Sequence, residues 1–217
     1  MSRHVVGITL DNLEHLPRHC RRCVYWELSS IAREQAAEFG ETEFEKEAWV
    51  SSVLLEWGSC GRISYSASMP TGFVLYAPPN VVPRSVTFPT SPPSADAVLL
   101  TAFHVLPEFR GGGLGRGLVQ AVVADLGRRG VQAIEAFGDS EVTTAAEGTG
   151  EHSCVLPAGF LRSVGFKTVR EHERWPRLRM ELRSGLSWKE DVEAAVERML
   201  GQVSVAAAGH VRGSGTG

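Results

Sequence analysis

Arg110, Gly111, Gly112, Gly113, Leu114, Gly115 and Arg116 lie in the stretch PEFRGGGLGRGL, residues 107–118, between two apolar runs. Glycine loses more conformational freedom on folding than any other residue and fills no core, so the four glycines within residues 111–115 weaken both neighbours unless something compensates. A strand, a glycine loop and a helix start together make an anion site. The first N–H groups of a helix have no partner within it, and the helix dipole favours negative charge at that end. Phosphate binding is therefore the chemistry this pattern suits. Two nucleotide devices fail on spacing: a P-loop needs Gly-Lys-Ser or Gly-Lys-Thr, which is absent, and the sixth position of a dinucleotide fingerprint falls on Arg116 or Leu118.

The spacing that is filled is R-x-x-G-x-G, by Arg110, Gly113 and Gly115, with Val105 and Pro107 before it as V-x-P and Arg116 after it. With these residues the stretch resembles the pyrophosphate-binding motif of the GNAT superfamily, the acyl-CoA-dependent N-acyltransferases. FLRSVGF, residues 160–166, resembles the superfamily's later helix ending in Gly-Phe. Together the two matches cover roughly residues 61–182. The resemblance implies an α/β (α+β) fold with a mixed, mostly antiparallel central sheet, splayed in the middle and flanked by helices. It also implies acetyl-CoA as cosubstrate, with backbone N–H groups of residues 111–116 around its pyrophosphate. Phe103 and Val105 would bind the pantetheine arm through their backbone and polarise the acyl carbonyl. Arg110 and Arg116 would add charge near the phosphates. The implied reaction is direct transfer of an acetyl group to a primary amine, on a small molecule or a protein, through a tetrahedral intermediate. The rival reading is a catalytically inactive acyl-CoA-binding regulatory module. Many relatives carry a Tyr acid four residues before the Gly of Gly-Phe, and here that position is Leu161.

Acyl transfer to an amine needs a neutral nucleophile, a polarised thioester and a proton for the leaving thiolate. Cys154 is one candidate donor or acyl carrier. It precedes a short helix expected from Pro157, whose dipole would lower a thiol pKa. His152 and Ser153 share its segment. Residues 97–105 offer only Thr101 and His104, and strand alternation puts Thr101 and Phe103 on one face and His104 on the other. Glu135, inside the apolar run VQAIEAF, is the candidate base if burial raises its pKa; a salt-bridged or edge carboxylate is the other reading. Arg170, Arg174, Arg177, Arg179 and Arg183, with His172, concentrate charge near the C-terminal strands. They suit either an anionic acceptor or a sheet face paired to nearby glutamates. Cys20 and Cys23 form a C-x-x-C after His15 and His19, but without a second such pair or a trailing H-x-x-x-H the ligand set is incomplete, so no metal is expected.

The elements that must hold these groups follow from periodicity. Strands are expected over residues 5–10, in VYWEL, in the pair GRISYSAS and TGFVLYAP, in DAVLLTAFHV, in VQAIEAF, and in FKTVREHE and RLRMEL. Helical spacing runs from residue 31 to 57, with Phe44, Ala48, Val50, Val53, Leu54 and Trp57 inward and Glu and Lys between them. Further helices are expected over residues 114–126 and 157–164. The proline-rich residues 78–94 read as a surface loop. The organisation expected is an N-terminal strand and C-x-x-C extension over residues 1–30, integrated with an acetyltransferase domain over 31–185, then a helix over 186–200 and a disordered tail over 201–217. With 217 residues, 43% of them hydrophobic, the chain is long enough for one substantial core, and a net charge of -3 argues against nonspecific nucleic-acid binding. No apolar run approaches a membrane span and no signal peptide is recognisable, so the expectation is a cytoplasmic protein without membrane partners; a homodimer is compatible with it.

Overall fold

The computed structural model describes residues 3–142 and 154–182. Strand β1 (Arg3–Gly7) leads through a single helical turn, α1 (Arg18–Arg21), into helices α2 (Ser30–Phe39) and α3 (Thr42–Trp57). Strands β2 (Gly61–Ser66), β3 (Met69–Ala77) and β4 (Ala97–Val105) precede helix α4 (Leu114–Arg128) and strand β5 (Ala133–Asp139). A two-residue strand β6 (Leu156–Pro157), helix α5 (Ala158–Ser163) and strands β7 (Lys167–Arg170) and β8 (Arg177–Glu181) complete the described chain. The eight strands form one sheet in the order β1-β2-β3-β4-β5-β8-β7, with β6 beside β5. Only the β4–β5 and β5–β6 pairings are parallel, which is the mixed, mostly antiparallel sheet expected. Among the described residues no helix is long and apolar enough to cross a membrane. The helix expected over 186–200, the tail over 201–217, and His152, Ser153 and Arg183 lie outside the described residues.

Local chemistry accounts for the helix ends. The Ser29 side chain accepts the Ala32 N–H at the start of α2, and α2 and α3 stop at Gly40 and Gly58, both left-handed. Two apolar layers cover the two faces of the sheet. One, on the α3 side, gathers Trp26, Trp49, Val50, Phe73, Phe88 and Phe137; the other, under α4 and α5, gathers Val74, Tyr76, Leu118, Val122, Ile134 and Leu161.

Two expectations need correction in the first layer. VYWEL is not a strand: Leu28 N–H returns to Val24 O, so the segment turns, and its apolar character reflects Trp26 stacking on Phe88 and Phe137. Phe44, assigned inward, is 67% exposed, whereas Lys46 is buried. Glu27 explains the exchange. Its carboxylate binds the Lys46 ammonium inside the protein and also accepts the Trp26 N–H. Periodicity places a lysine in water; a buried counter-charge overrides it.

Regular pairing breaks down in the middle of the sheet. Strands β4 and β5 pair only over Ala97, Val98 and Leu99 with Ala133, Ile134 and Glu135, and then part. A bulge on the other side of β4 accompanies the divergence: Tyr76 faces Leu100 while Leu75 faces Ala102, leaving Thr101 as the extra residue. Thr101 Oγ1 donates to Leu75 O at 3.3 Å. Phe103 and His104 point to opposite faces as expected, but the bulge removes Thr101 from simple alternation with Phe103.

Removing one partner of the Glu27–Lys46 pair leaves a charge buried alone. Lys46→Ala is expected to lower unfolding stability by about 3–5 kcal/mol, and Glu27→Leu combined with Lys46→Met to recover most of it. Urea denaturation of the three proteins checks this; a Lys46→Ala loss below about 1 kcal/mol would contradict it.

Candidate active site

The glycine loop owes its composition to two separate constraints. Gly111 and Gly113 have φ of 78° and 76°, a backbone region that side chains strongly disfavour. Gly115 is required for contact instead: a Cβ there would stand 3.2 Å from a ring carbon of Phe160 and 3.4 Å from one of Phe103. Those rings pack together, with centroids 4.7 Å apart, under the first turn of α4. Gly113 is the N-cap and supplies no side-chain cap, so the first N–H groups of a fifteen-residue helix open onto the loop. Asp125 fixes the helix from its other end. It accepts from Tyr76 Oη at 2.7 Å and pairs with Arg62, joining α4 to β3 and β2.

Beside the loop runs the unpaired edge of β4. Leu106 N–H donates to Thr71 O at 3.0 Å, and a Cβ on Gly72 would meet the His104 carbonyl at 2.7 Å, so His104 and Leu106 direct their backbone groups to β3. Alternation turns those of Phe103 and Val105 to the opposite edge, where β5 has already parted. Arg110 Nε donates to Val105 O at 2.9 Å, leaving the Val105 N–H open. Arg116 spends one Nη on Ser163 O at 3.0 Å, tying α4 to the end of α5. A third cation was not foreseen: Arg3, on β1, places its guanidinium 3.7 Å from where a Cβ of Gly112 would be.

Glu135 is fully buried and occupied. Oε1 accepts from Ser94 Oγ at 2.6 Å and Arg179 at 3.3 Å, and Oε2 accepts from Ser94 N–H at 3.1 Å and Arg177 at 2.5 Å. Of the two readings open for this residue, the geometry is that of the salt-bridged carboxylate rather than a base reaching an amine. Arg179 also holds Asp96 and Glu181, and Arg174 holds Asp139 and Glu141. These arginines are thus engaged within the sheet rather than held ready for an anionic acceptor.

The thiols converge. Cys154 Sγ lies 3.2 Å from Cys23 Sγ, and its carbonyl accepts the Trp26 indole N–H at 2.6 Å. The hydrogen bond from Cys154 lowers the Cys23 pKa to about 7, whereas that bond, followed by burial, pushes Cys154 up. A lowered Cys154 pKa was expected from the α5 dipole. The helix begins only at Ala158, beyond β6, and the neighbouring thiol dominates. Cys20 is pushed up to about 12, chiefly by burial.

A family model described as the acetyltransferase (GNAT) family matches residues 23–148, more than half of the sequence. The chain belongs to the GNAT acetyltransferase family. Among solved structures it is similar to PaiA N-acetyltransferase from Thermoplasma acidophilum in complex with coenzyme A, at 13% identity over 83% of this chain and 99% of that one, with a TM-score of 0.52. It is also similar to YncA from Salmonella typhimurium with its cofactor acetyl-CoA, at 15% identity over 84% and 95%, with a TM-score of 0.53. A third acetyltransferase reaches a TM-score of 0.55 at 16% identity over 83% and 100%. Identities this low speak for the fold alone. No curated protein matches the sequence.

Within this GNAT fold, Leu161 is fully buried among Phe166, Leu178 and Ala158, so the position that holds Tyr in many relatives is a packing position here. Sequence reasoning missed Arg3 and the Cys23–Cys154 contact. Both join residues far apart in the chain and leave no local spacing signal. One consequence of the thiol contact is measurable. Thiolate is the reactive form, so alkylation of Cys23 should accelerate as pH rises through about 7 and slow below it. In Cys154→Ala the donor is gone, and the midpoint should move upward toward that of an ordinary thiol. Mass spectrometry of the labelled peptides checks this; an unmoved midpoint would exclude Cys154 as the cause.

Proposed function

We propose that the protein transfers an acetyl group from acetyl-CoA to a primary amine by direct attack. The observation that carries this reading is the uncapped start of α4, opened by left-handed Gly111 and Gly113, beside the free edge of β4. The N–H groups of residues 111–116 cradle the pyrophosphate, and Arg3 adds charge on the Gly112 side. The pantetheine arm extends the sheet along Phe103 and Val105, as an added strand would. The Val105 N–H then faces the thioester carbonyl and stabilises the negative charge that develops there.

A proton must reach the departing thiolate, and Leu161 has none to give. Cys154 is the donor in this proposal. The two thiols share their protons and either can donate in the bond between them, so a doubly protonated pair releases the Cys154 proton to the departing thiolate while the Cys23 S–H stabilises the sulfur left behind, and solvent then returns the proton. The incoming amine must be neutral to attack, and Glu135 is not assigned to deprotonate it.

Calorimetric titration with acetyl-CoA should show binding by the wild type and none by Gly113→Asp, which strains the backbone and sets a carboxylate against phosphate. Arg3→Ala should weaken binding about 2- to 5-fold, as befits an exposed charge pair. Thiol release with an amine panel then distinguishes an enzyme from a module that only binds. Wild-type protein that binds no CoA ester would sink the cradle; binding with no thiol release from any amine would leave the regulatory module.

Acceptor charge offers a separate check. Because Arg174, Arg177 and Arg179 are engaged by carboxylates of the sheet, carboxylated and uncharged amines of equal size should differ in kcat/KM by less than about tenfold. A larger preference for the carboxylated amine would require another cation in the acceptor cleft.

A further inference from the structure

The C-x-x-C lacks a second half in the sequence, but the fold supplies one ligand from elsewhere. His19 and Cys20, on α1, meet His104 of β4. One ligand atom from each of the three lies within 4.8 Å of the other two. The His19 and His104 rings meet edge to face, with centroids 5.6 Å apart, and His104 stacks on Phe73, which fixes its plane. We propose that His19, Cys20 and His104 form a Zn2+ site with one open coordination position.

Donor chemistry selects the ion. Two imidazole nitrogens and a thiolate suit the borderline-soft Zn2+, whereas Mg2+ and Ca2+ take oxygen ligands, and none of the three side chains offers one. Bond lengths of about 2.0–2.3 Å in a tetrahedral shell put donors about 3.3–3.7 Å apart. The trio, with its ligand atoms within 4.8 Å of one another, must contract to reach this. On binding, the Cys20 S–H bond breaks, the proton leaves to solvent and the sulfur lone pair joins the metal. Arg21, next to Cys20, is drawn 3.6 Å from Glu43 on α3, so one flanking cation already has its counter-charge.

Three protein ligands and a vacant fourth position are the arrangement of a reactive zinc rather than a closed structural one. His104 stands between Phe103 and Val105, whose backbone groups face the gap in the sheet, but its ring lies on the Phe73 side. An ion there would occupy the opposite face from α4, one residue from the acyl-binding edge. The ligand class for its open position is a water or a neutral amine, whose pKa a bound cation lowers. The site rests on the side-chain geometry alone and stands whether or not acetyl transfer is the reaction.

Untagged protein, stripped with chelator under reducing conditions, should bind one equivalent of Zn2+ in competition with a chromophoric chelator. Its Co2+ form should show a thiolate-to-cobalt charge-transfer band. Cys20→Ser and His104→Ala should each weaken Zn2+ binding by at least about 100-fold, since removing a ligand costs no less than removing its supporting hydrogen bond. Cys23→Ser should keep one equivalent. Wild type without stoichiometric Zn2+, a Co2+ form lacking the thiolate band, undiminished binding in Cys20→Ser or His104→Ala, or loss of binding in Cys23→Ser would each overturn the assignment. The wild-type Co2+ spectrum decides even where a variant fails to fold.

Discussion

Everything in the site depends on the parting of β4 from β5 after three residue pairs. Unpaired backbone N–H and C=O groups inside a sheet are costly, so a fork is not a resting state the chain would adopt without a brace. The brace stands at its base. Glu135 pairs in register with Leu99, the last joined residue of β4, and its carboxylate ties Ser94, just before β4, to Arg177 and Arg179 of β8. Three segments are thereby fixed at the point of divergence, while the bulge at Thr101 turns the rest of β4 away. Glu135, for which a base or a salt-bridged carboxylate stood open in the sequence, has the geometry of the second.

The fork leaves an edge that wants a strand, and the glycine loop leaves a helix end that wants an anion. Their coincidence suits a ligand with an extended amide-bearing arm and a phosphate at one end. Asp125 enforces that coincidence by binding α4 to β2 and β3, so the helix start cannot drift from the β4 edge. Gly115 enforces it by letting Phe103 and Phe160 pack directly beneath the first turn.

How much of this was legible in the sequence follows from distance along the chain. The motif was readable because strand, V-x-P, glycines and helix are contiguous, and the strands before and after it declared themselves by period. VYWEL misled because its apolar residues serve stacking on Phe88 and Phe137 rather than a ladder. Lys46, the Arg3 approach to Gly112, the carboxylate partners of Arg177 and Arg179, and the meeting of α1 with His104 all join segments whose proximity exists only after the sheet has formed. Spacing rules carry no information about such pairs.

That sorting also bears on where the proton chemistry sits. Leu161 is sealed in the layer beneath α4 and α5, where a phenol would have to place its hydroxyl among hydrocarbon. On the opposite layer the chain gathers Cys23 and Cys154, with Cys20, His19 and His104 near them. These thiols and imidazoles therefore lie on the face of the fork opposite Leu161. The backbone of β4 serves both faces alike, because its N–H and C=O groups lie in the plane of the sheet rather than above or below it. A cradle built from backbone therefore keeps its geometry whichever face carries the polar side chains beside it.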